Sequence, residues 1–295
     1  MIKAALSGGL GNQMFQYAFA RNLSIKNNAK LYLNTSYLQS KLPIKSLATS
    51  MQYELDIFNI QAEISQNIFQ SKFLYPLAKA EYLLRDTWNK NQWNVLQETS
   101  FNFQPEYLSA KDNTYIKGNF QSEKYFIEIE KIIRQEFQFK PTLKEENLVW
   151  KQQIENSNAV SIHVRRGDYI SLKQNVHKFA QIPIVYFQKA INHIASKIEN
   201  PVFFVFSDDI DWVKRELKTE FPVHFISNNN TKQTSYIDMQ LMSLCKHNII
   251  CNSTFSWWGA WLNSHPDKMV IAPQQWFADN SINSKDICPL EWIKL

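Results

Sequence analysis

The chain has 295 residues, a net charge of +5 and a hydrophobic fraction of 44%. This length favours two domains of roughly 150 residues. Its three cysteines show no metal or redox spacing, which argues against a disulfide scaffold and fits a reducing cytosol. No apolar run suits a signal peptide or a membrane span, and no basic block suggests a nucleic-acid arm. We therefore expect a soluble or at most peripheral protein with no nucleic-acid partner.

The first half of the chain predicts an α/β domain. Its opening residues favour a strand over 2–6, a glycine turn over 7–11, a helix that starts near Asn12 and a strand over 30–33. Residues 40–110 show no clear period, and we interpret them as helices and loops that shape a pocket or acceptor cleft. Beyond them we predict a strand over 114–117 and a helix over 123–137.

A polar stretch over residues 140–158 is the best candidate for a linker. We place the domain boundary at 150, which gives domains of 1–150 and 151–295. Strands and helices alternate after the linker. The predicted strands cover 160–164, 202–206, 224–226, 248–251 and 269–272, and the predicted helices cover 184–197, 210–217, 235–246 and 256–263. This alternation is typical of a doubly wound, mostly parallel sheet, so we expect two α/β domains that face a cleft.

The most informative segment, residues 161–169 (SIHVRRGDY), is a short buried strand that runs into two adjacent arginines. Because side chains alternate along a strand, His163 and Arg165 share one face. Arg165 and Arg166 then lie at the carboxyl end of the strand, where open α/β sheets bind ligands. Two guanidiniums there suit bidentate recognition of a phosphate. The alternative interpretation is a surface salt bridge from either arginine to Asp168.

The N-terminal glycine turn is not a dinucleotide-binding fingerprint. With Gly9 and Gly11 as the first two glycines, the third position holds Met14, and no acidic residue ends the second strand. The turn still precedes a helix N-terminus, whose N–H groups can bind an anion or a sugar. Asn12 and Gln13 add side-chain donors. A purely structural turn remains the alternative.

A second apolar strand delivers Ser207, Asp208 and Asp209 to its carboxyl end. A carboxylate at this position could accept hydrogen bonds from a guanine edge or a ribose. Equally, one of these side chains could cap the helix that starts at Ile210. A divalent-metal cluster that adds Asp211 is a third, weaker interpretation, and we expect no metal site.

Residues 252–263 (NSTFSWWGAWLN) place polar side chains at another helix N-terminus, where they can cap the helix or bind phosphate oxygens. We expect Trp257 and Trp261, four residues apart, to pack in the core. The candidate ligand contacts of this segment are Asn252, Ser253, Thr254 and Ser256.

Four blocks together resemble the bacterial α-1,2-fucosyltransferases. They are 7–16 (SGGLGNQMFQ), 163–169 (HVRRGDY), 204–209 (FVFSDD) and 252–263 (NSTFSWWGAWLN), and 118–126 (GNFQSEKYF) resembles a further block. The resemblance covers nearly the whole chain. It implies a GT-B architecture of two Rossmann-like domains, with GDP-fucose as donor and no required metal or other cofactor. It also implies that 1–150 is the acceptor side and that 151–295 binds the nucleotide.

The resemblance further implies roles for single residues. It puts Arg165 at the β-phosphate with Arg166 and His163 beside it, and it brings the glycine turn with Asn12 to the donor. Breaking the sugar–phosphate bond builds negative charge on the β-phosphate, which fixed guanidiniums and helix N-termini stabilise. A β-linked donor and an α product mean inversion in one displacement, which calls for a general base. Asp168 and Glu123 are the candidates for that base.

We therefore expect transfer of L-fucose from GDP-fucose to the 2-hydroxyl of a β-galactoside in a surface glycan such as the O-antigen of lipopolysaccharide. The expected location is the cytoplasm, with peripheral contact to the inner membrane as an option. Two alternatives stay open: a fucosyltransferase of another linkage (α-1,6 or α-1,3), and a non-catalytic carbohydrate-binding protein. Residues 178–183 follow no pattern of the family, so the acceptor is not specified.

Overall fold

The computed structural model describes residues 1–36, 38, 52–65, 93–166, 180–231 and 233–295. The chain divides into two compact units, Met1–Lys140 and Pro141–Leu295. Each unit contains a parallel sheet with helices packed on it, which is the predicted α/β class. Within the described residues, every helix is too short or too polar to cross a membrane.

The first unit holds a five-stranded sheet. Its strands are β1 (Ile2–Ala5), β2 (Leu31–Asn34), β3 (Glu63–Ser65), β4 (Asn94–Gln97) and β5 (Thr114–Lys117). Their order is β3-β2-β1-β5-β4 and all neighbours are parallel. The α-helices are α1 (Leu10–Lys26) and α2 (Glu130–Glu136). Short 3-10 turns cover Leu55–Ile57, Pro105–Ser109, Glu123–Tyr125 and Ile127–Ile129.

Helix α1 is the centre of the first unit and is buried on nearly every side. Its Phe19 ring lies 4.4 Å from Phe120, so aromatic side chains cover the helix opposite the sheet. Its Arg21 Nη2 lies 2.9 Å from Glu136 Oε1, and the Tyr17 hydroxyl donates to the same carboxylate. This partly buried ion pair joins α1 to α2, and burial raises the pKa of Tyr17 well above its usual value.

The second unit holds a six-stranded parallel sheet. Its strands are β6 (Asn158–Val164), β7 (Pro201–Ser207), β8 (Val223–Ile226), β9 (His247–Ile249), β10 (Val270–Ala272) and β11 (Ile293–Lys294). The order β11-β10-β9-β6-β7-β8 is that of the Rossmann fold. Helices α3 (Glu146–Glu155), α4 (Ile184–Ala195), α5 (Ile210–Glu216), α6 (Tyr236–Leu244) and α7 (Thr254–Leu262) accompany it.

Strand β6 is buried on both of its faces. Ile162 and Val164 enter an apolar core with α4 and β7, while Ser161 and His163 on the opposite face are also buried. The predicted alternation is therefore correct, but the polar face does not meet open solvent. The long apolar strands β6 and β7 and helix α4 were all predicted because their patterns are strong.

Several elements differ from the sequence-based expectations. The polar stretch 140–158, expected as a linker, contains α3, which is joined to the second unit by hydrogen bonds between Asn147 and Asn229. The predicted helix over 123–137 is α-helical only in α2, because the extended φ of −145° at Phe126 interrupts it. Strands β3, β4 and β11 are short, and their residues gave no alternating pattern.

Candidate functional site

The order of the second sheet reverses between β6 and β9, and ligands of open α/β sheets bind at such a reversal, beyond the carboxyl ends of the strands. Arg165 and Arg166 follow β6, and Ser207 ends the neighbouring β7. Strand β9 leads through Cys251 to the N-terminus of α7. The fold thus brings three of the separately identified motifs to one edge of one sheet.

Both arginines are held by the carboxylates that follow β7. Arg165 Nε lies 3.2 Å from Asp208 Oδ2, and Arg166 Nε lies 3.4 Å from Asp209 Oδ2. The backbone N–H of Arg166 also donates to Asp208 Oδ1 at 2.9 Å. The carbon of the Arg166 guanidinium lies 3.5 Å from the centre of the Trp212 ring, a cation–π contact. These ion-pair partners come from the next strand, whereas Asp168 lies outside the described residues.

Asp209 has two roles, and the sequence analysis considered only one of them, the helix cap. Its Oδ1 accepts from the N–H of Trp212 at 3.3 Å and caps α5, while Oδ2 pairs with Arg166. The Ser207 hydroxyl is buried and accepts from the Asp209 N–H at 3.0 Å. In the described parts of the chain, no three His, Cys, Asp or Glu side chains come together as metal ligands.

Beneath the arginines lies a buried, uncharged pair. His163 is only 5% exposed, and its Nδ1 lies 3.3 Å from Cys251 Sγ. Burial, with the positive charge of Arg165, lowers the pKa of His163 to about 3. Burial raises the pKa of the Cys251 thiol to about 12. At neutral pH both groups are therefore uncharged, so the positive charge here comes from the guanidiniums.

The four polar residues around the start of α7 divide into two groups. Asn252 donates both amide hydrogens to the carbonyls of Ala180 and Trp276, each at 2.8 Å, and Ser256 is fully buried with its hydroxyl on the Ser253 carbonyl. These two side chains build the loop, because their hydrogen bonds stay within the protein.

Ser253 and Thr254 form the actual start of α7. The Ser253 hydroxyl caps the helix by accepting from the Phe255 N–H at 3.3 Å, so α7 begins two residues before the predicted 256. Thr254 is half-buried. The rings of Trp257 and Trp261 stack 6.2 Å apart in the core, as predicted.

In the first unit, β1 and β5 lie side by side in the sheet although they are far apart along the chain. The glycine turn follows β1, with Gly8 at a φ of +74° and Gly9 at the start of α1. Gly11 is buried in the first helical turn. Gln13 is fully buried and hydrogen-bonds Gly8, Gln52 and Glu54, so its side chain ties the loop around residue 52 to the helix. This bonding gives Gln13 a structural role in place of the ligand contact expected from the sequence.

Asn12 meets a residue that the sequence analysis did not single out. Its Oδ1 accepts from Gln121 Nε2 at 3.0 Å. Gln121 belongs to the turn after β5, and the carboxylate of Glu98 accepts two backbone N–H groups of this turn. Burial raises the pKa of Glu98, although these two donors oppose the shift. The resemblance of block 118–126 pointed toward Gln121, but no pattern marked Glu98. Glu123, the other base candidate, is half-buried in a 3-10 turn.

The model of the family described as glycosyl transferase family 11 matches residues 1–295. The chain belongs to this family. It is 36% identical to the O-antigen biosynthesis glycosyltransferase WbnK of Escherichia coli, over 99% of both chains. It is 34% identical to the alpha-1,2-colitosyltransferase of Escherichia coli, over 100% of this chain and 99% of the other. Human galactoside alpha-(1,2)-fucosyltransferase 1 is 24% identical over 87% of this chain and 64% of its own.

Membership of family 11 confirms the resemblance drawn from the four blocks, and it establishes that the chain is a glycosyltransferase of the fucosyltransferase-like kind. Two guanidiniums and a helix N-terminus at the carboxyl edge of a Rossmann-order sheet can bind an anionic leaving group. A glycosyltransferase that uses an activated sugar needs such hydrogen-bond donors at the place where the anionic leaving group departs.

Proposed function

We propose that this family 11 glycosyltransferase transfers L-fucose from GDP-fucose to the 2-hydroxyl of a β-galactoside in a surface glycan such as the O-antigen. The observation that carries the proposal is the position of Arg165 and Arg166, which Asp208 and Asp209 hold at the carboxyl end of β6, beside the reversal of the sheet. The names of the relatives support the α-1,2 linkage and the role in O-antigen synthesis.

In the proposed reaction the bond between fucose C1 and the β-phosphate oxygen breaks, and its electron pair leaves on the phosphate. Arg165 stabilises this charge, with Arg166 and the N-terminus of α7 beside it. The 2-hydroxyl oxygen of the acceptor attacks C1 from the opposite face, and its proton passes to a base. His163 does not suit this role, because it is buried and its pKa is about 3. Asp168 and Glu123 therefore stay the candidates for the base.

We further propose that no metal ion takes part in the reaction. A divalent cation serves other transferases by neutralising the charge of the departing diphosphate. Two guanidiniums, which stay protonated at any working pH, can donate charge-assisted hydrogen bonds to the diphosphate at the same step. Turnover should therefore be the same with and without EDTA.

A second candidate is transfer of colitose, and the 34% identity to the alpha-1,2-colitosyltransferase over the whole chain favours it. Colitose is L-fucose without its 3-hydroxyl, so one hydrogen-bonded group separates the two donors. A site that binds this hydroxyl rejects the analogue that lacks it by about 10⁴-fold, whereas an apolar site discriminates weakly. A competition between the two donors therefore separates the candidates.

The test is a donor screen that measures nucleotide release with lactose as the β-galactoside probe. GDP-fucose, GDP-colitose and UDP-galactose are compared, each with and without EDTA. We expect GDP release from GDP-fucose, insensitive to EDTA, and an α-1,2 linkage in the product by NMR. Transfer from the UDP-sugar alone would refute the proposal, and preference for GDP-colitose would select the second candidate. An α-1,3 or α-1,6 product would overturn the linkage, and lactose binding without GDP release would mark a non-catalytic lectin.

We also propose that the enzyme works in the cytoplasm, in peripheral contact with the inner membrane. The net charge of +5 supports this, because a basic protein is attracted to anionic lipid. Co-flotation with vesicles that contain phosphatidylglycerol, lost at high salt, is the expected result. Equal flotation with neutral vesicles would contradict it.

A further inference from the structure

The turn after β5 adopts backbone conformations that most residues avoid. Gly118 has a φ of +156° and Phe120 a φ of +51°. A Cβ on Gly118 would lie 2.3 Å from the Cβ of Glu98, so only glycine fits there. A bulky side chain at positive φ is a true outlier, and such strain is concentrated at binding and catalytic sites. The turn therefore calls for a functional explanation.

Two features hold the turn in this conformation. Glu98 Oε2 accepts from the N–H of Asn119 at 2.6 Å, and Oε1 accepts from the N–H of Phe120 at 2.9 Å. The ring of Phe120 is fully buried, 4.4 Å from Phe19. A half-buried carboxylate on one side and an aromatic core on the other thus fix the strained residues.

The result of this conformation is the position of Gln121. Its Nε2 donates to Asn12 Oδ1 at 3.0 Å, and Gln16 joins the two segments by donating to Ser7 Oγ and to the Gly118 carbonyl, each at 3.0 Å. Asn12 opens α1 after β1, and Gln121 follows β5. The two amides therefore meet beyond the carboxyl ends of the neighbouring strands β1 and β5, and the carboxyl edge is where open α/β sheets bind ligands.

The amide pair retains hydrogen-bonding capacity. Among the residues that the structure describes, Gln121 Oε1 and Asn12 Nδ2 have no hydrogen-bond partner, and neither atom is fully buried. Both atoms can therefore exchange a hydrogen bond to water for one to a bound ligand. One carbonyl acceptor beside one amide donor matches a hydroxyl group, which donates and accepts at once.

We propose that Asn12 and Gln121 bind a hydroxyl of a neutral sugar, and that Glu98 is the positioning residue that fixes Gln121 for this task. Two uncharged amides suit a sugar better than a diphosphate, because charge-assisted bonds are the strong ones for phosphate. The inference rests on the proposed sugar transfer. The hydroxyl belongs either to the transferred sugar or to the acceptor galactoside, and kinetics separates these sources.

The test compares Gln121→Leu, Gln121→Glu and Glu98→Gln with Gln153→Leu, an exposed glutamine of α3, as the matched control. Calorimetry measures the affinity for GDP, which carries no sugar to be transferred, and steady-state kinetics with GDP-fucose and lactose gives both KM values. Thermal unfolding checks that each variant is folded, and Gln121→Glu preserves the size of the side chain where Leu disturbs folding.

We expect both Gln121 variants to raise one KM about tenfold or more while the GDP affinity stays near that of the wild type. A rise for lactose assigns the hydroxyl to the acceptor, and a rise for GDP-fucose assigns it to the transferred sugar. Glu98→Gln should change the same KM by a smaller factor. Two unchanged KM values, or a parallel loss of GDP affinity, overturn the inference. A wild type without turnover from any donor refutes the proposed function instead.

Discussion

The two units carry different polar side chains at the carboxyl edges of their parallel sheets. In the first unit these side chains follow β1 and β5, and in the second they follow β6 and β7, beside the point where the strand order reverses. At the second edge lie two guanidiniums with their carboxylate partners. At the first lies a pair of amides, and the nearby carboxylate of Glu98 is used on backbone N–H groups.

The difference shows that the fold supplies the place and that the residues at the strand ends supply the chemistry. The two guanidiniums of the second edge suit a departing diphosphate, and the neutral amides of the first edge suit sugar hydroxyls.

Replacing Arg165 by alanine should have the largest effect. The variant loses a fixed charge where the leaving group becomes anionic, so kcat should fall on the order of 10²–10³-fold. Arg165→Lys should recover only part of the loss, because an ammonium lacks the planar fork. Arg215→Ala, an exposed arginine of α5, is the matched control and should keep wild-type turnover. A loss of less than about tenfold in Arg165→Ala would contradict the assignment.

The carboxylate that holds both arginines should matter less than the arginines themselves. Asp208→Asn removes the charge 3.2 Å from Arg165 Nε, so the guanidinium is less well oriented, and we expect kcat/KM to fall about tenfold. Asp211→Asn, an exposed acid two residues beyond Asp209, controls for a general change in charge. Equal losses in the two variants would show that Asp208 does not orient the arginines.

The neighbouring glycines of the turn after β1 should respond differently to alanine. Gly8 has a φ of +74°, and a Cβ there would lie 2.4 Å from Asn12 Nδ2, so Gly8→Ala should lower the free energy of unfolding by about 1–3 kcal/mol. Gly9 has open space around its Cα, so Gly9→Ala should unfold like the wild type. Chemical denaturation of both variants measures the difference. Equal destabilisation would mean that the described turn geometry is wrong.

Two buried groups of the second unit should give opposite dependences of stability on pH. Burial lowers the pKa of His163 to about 3, so its contribution is present above its unfolded value of 6.5 and is lost as pH falls through about 3. Burial raises the pKa of Asp238 to about 7, so its contribution is present below 3.8 and is lost as pH rises through about 7. Each group contributes at most about 1.4 kcal/mol per pH unit.

Single variants uncover these opposing slopes. The two transitions overlap between pH 3.8 and 6.5. In this range, His163→Gln should make the free energy of unfolding fall more steeply as pH rises. Asp238→Asn should instead make the free energy of unfolding rise with pH. Urea denaturation across this range measures both slopes. If His163→Gln leaves the slope unchanged, the histidine is not held neutral by burial.

The charged site could be predicted from sequence to a large extent, because apolar strands with polar ends are a strong local pattern. The segments after β6 and β7 and the start of α7 fall where the motifs indicated. The partners of the arginines could not be predicted in the same way. Asp208 and Asp209 lie about 40 residues away along the chain, and strand pairing brings them to the arginines.

The neutral site was predicted only in part. Asn12 was identified, but Gln121 was visible only as a member of a resembling block. Glu98 acts through hydrogen bonds to the backbone of a segment more than 20 residues away. Neither the composition of the chain nor its hydrophobic periodicity predicts such a bond. Helix α3 was missed for a similar reason, since Asn147 joins it to the unit through amide hydrogen bonds, which leave no apolar pattern in the sequence.

The most direct test of the central claim is a calorimetric titration of GDP into the wild type, Arg165→Ala and Gln121→Leu, in the presence of EDTA. If the arginines after β6 bind the diphosphate, Arg165→Ala should lose GDP affinity by about tenfold or more, whereas Gln121→Leu should bind GDP like the wild type. Unchanged GDP affinity in Arg165→Ala, or GDP binding that needs a metal, would contradict the account.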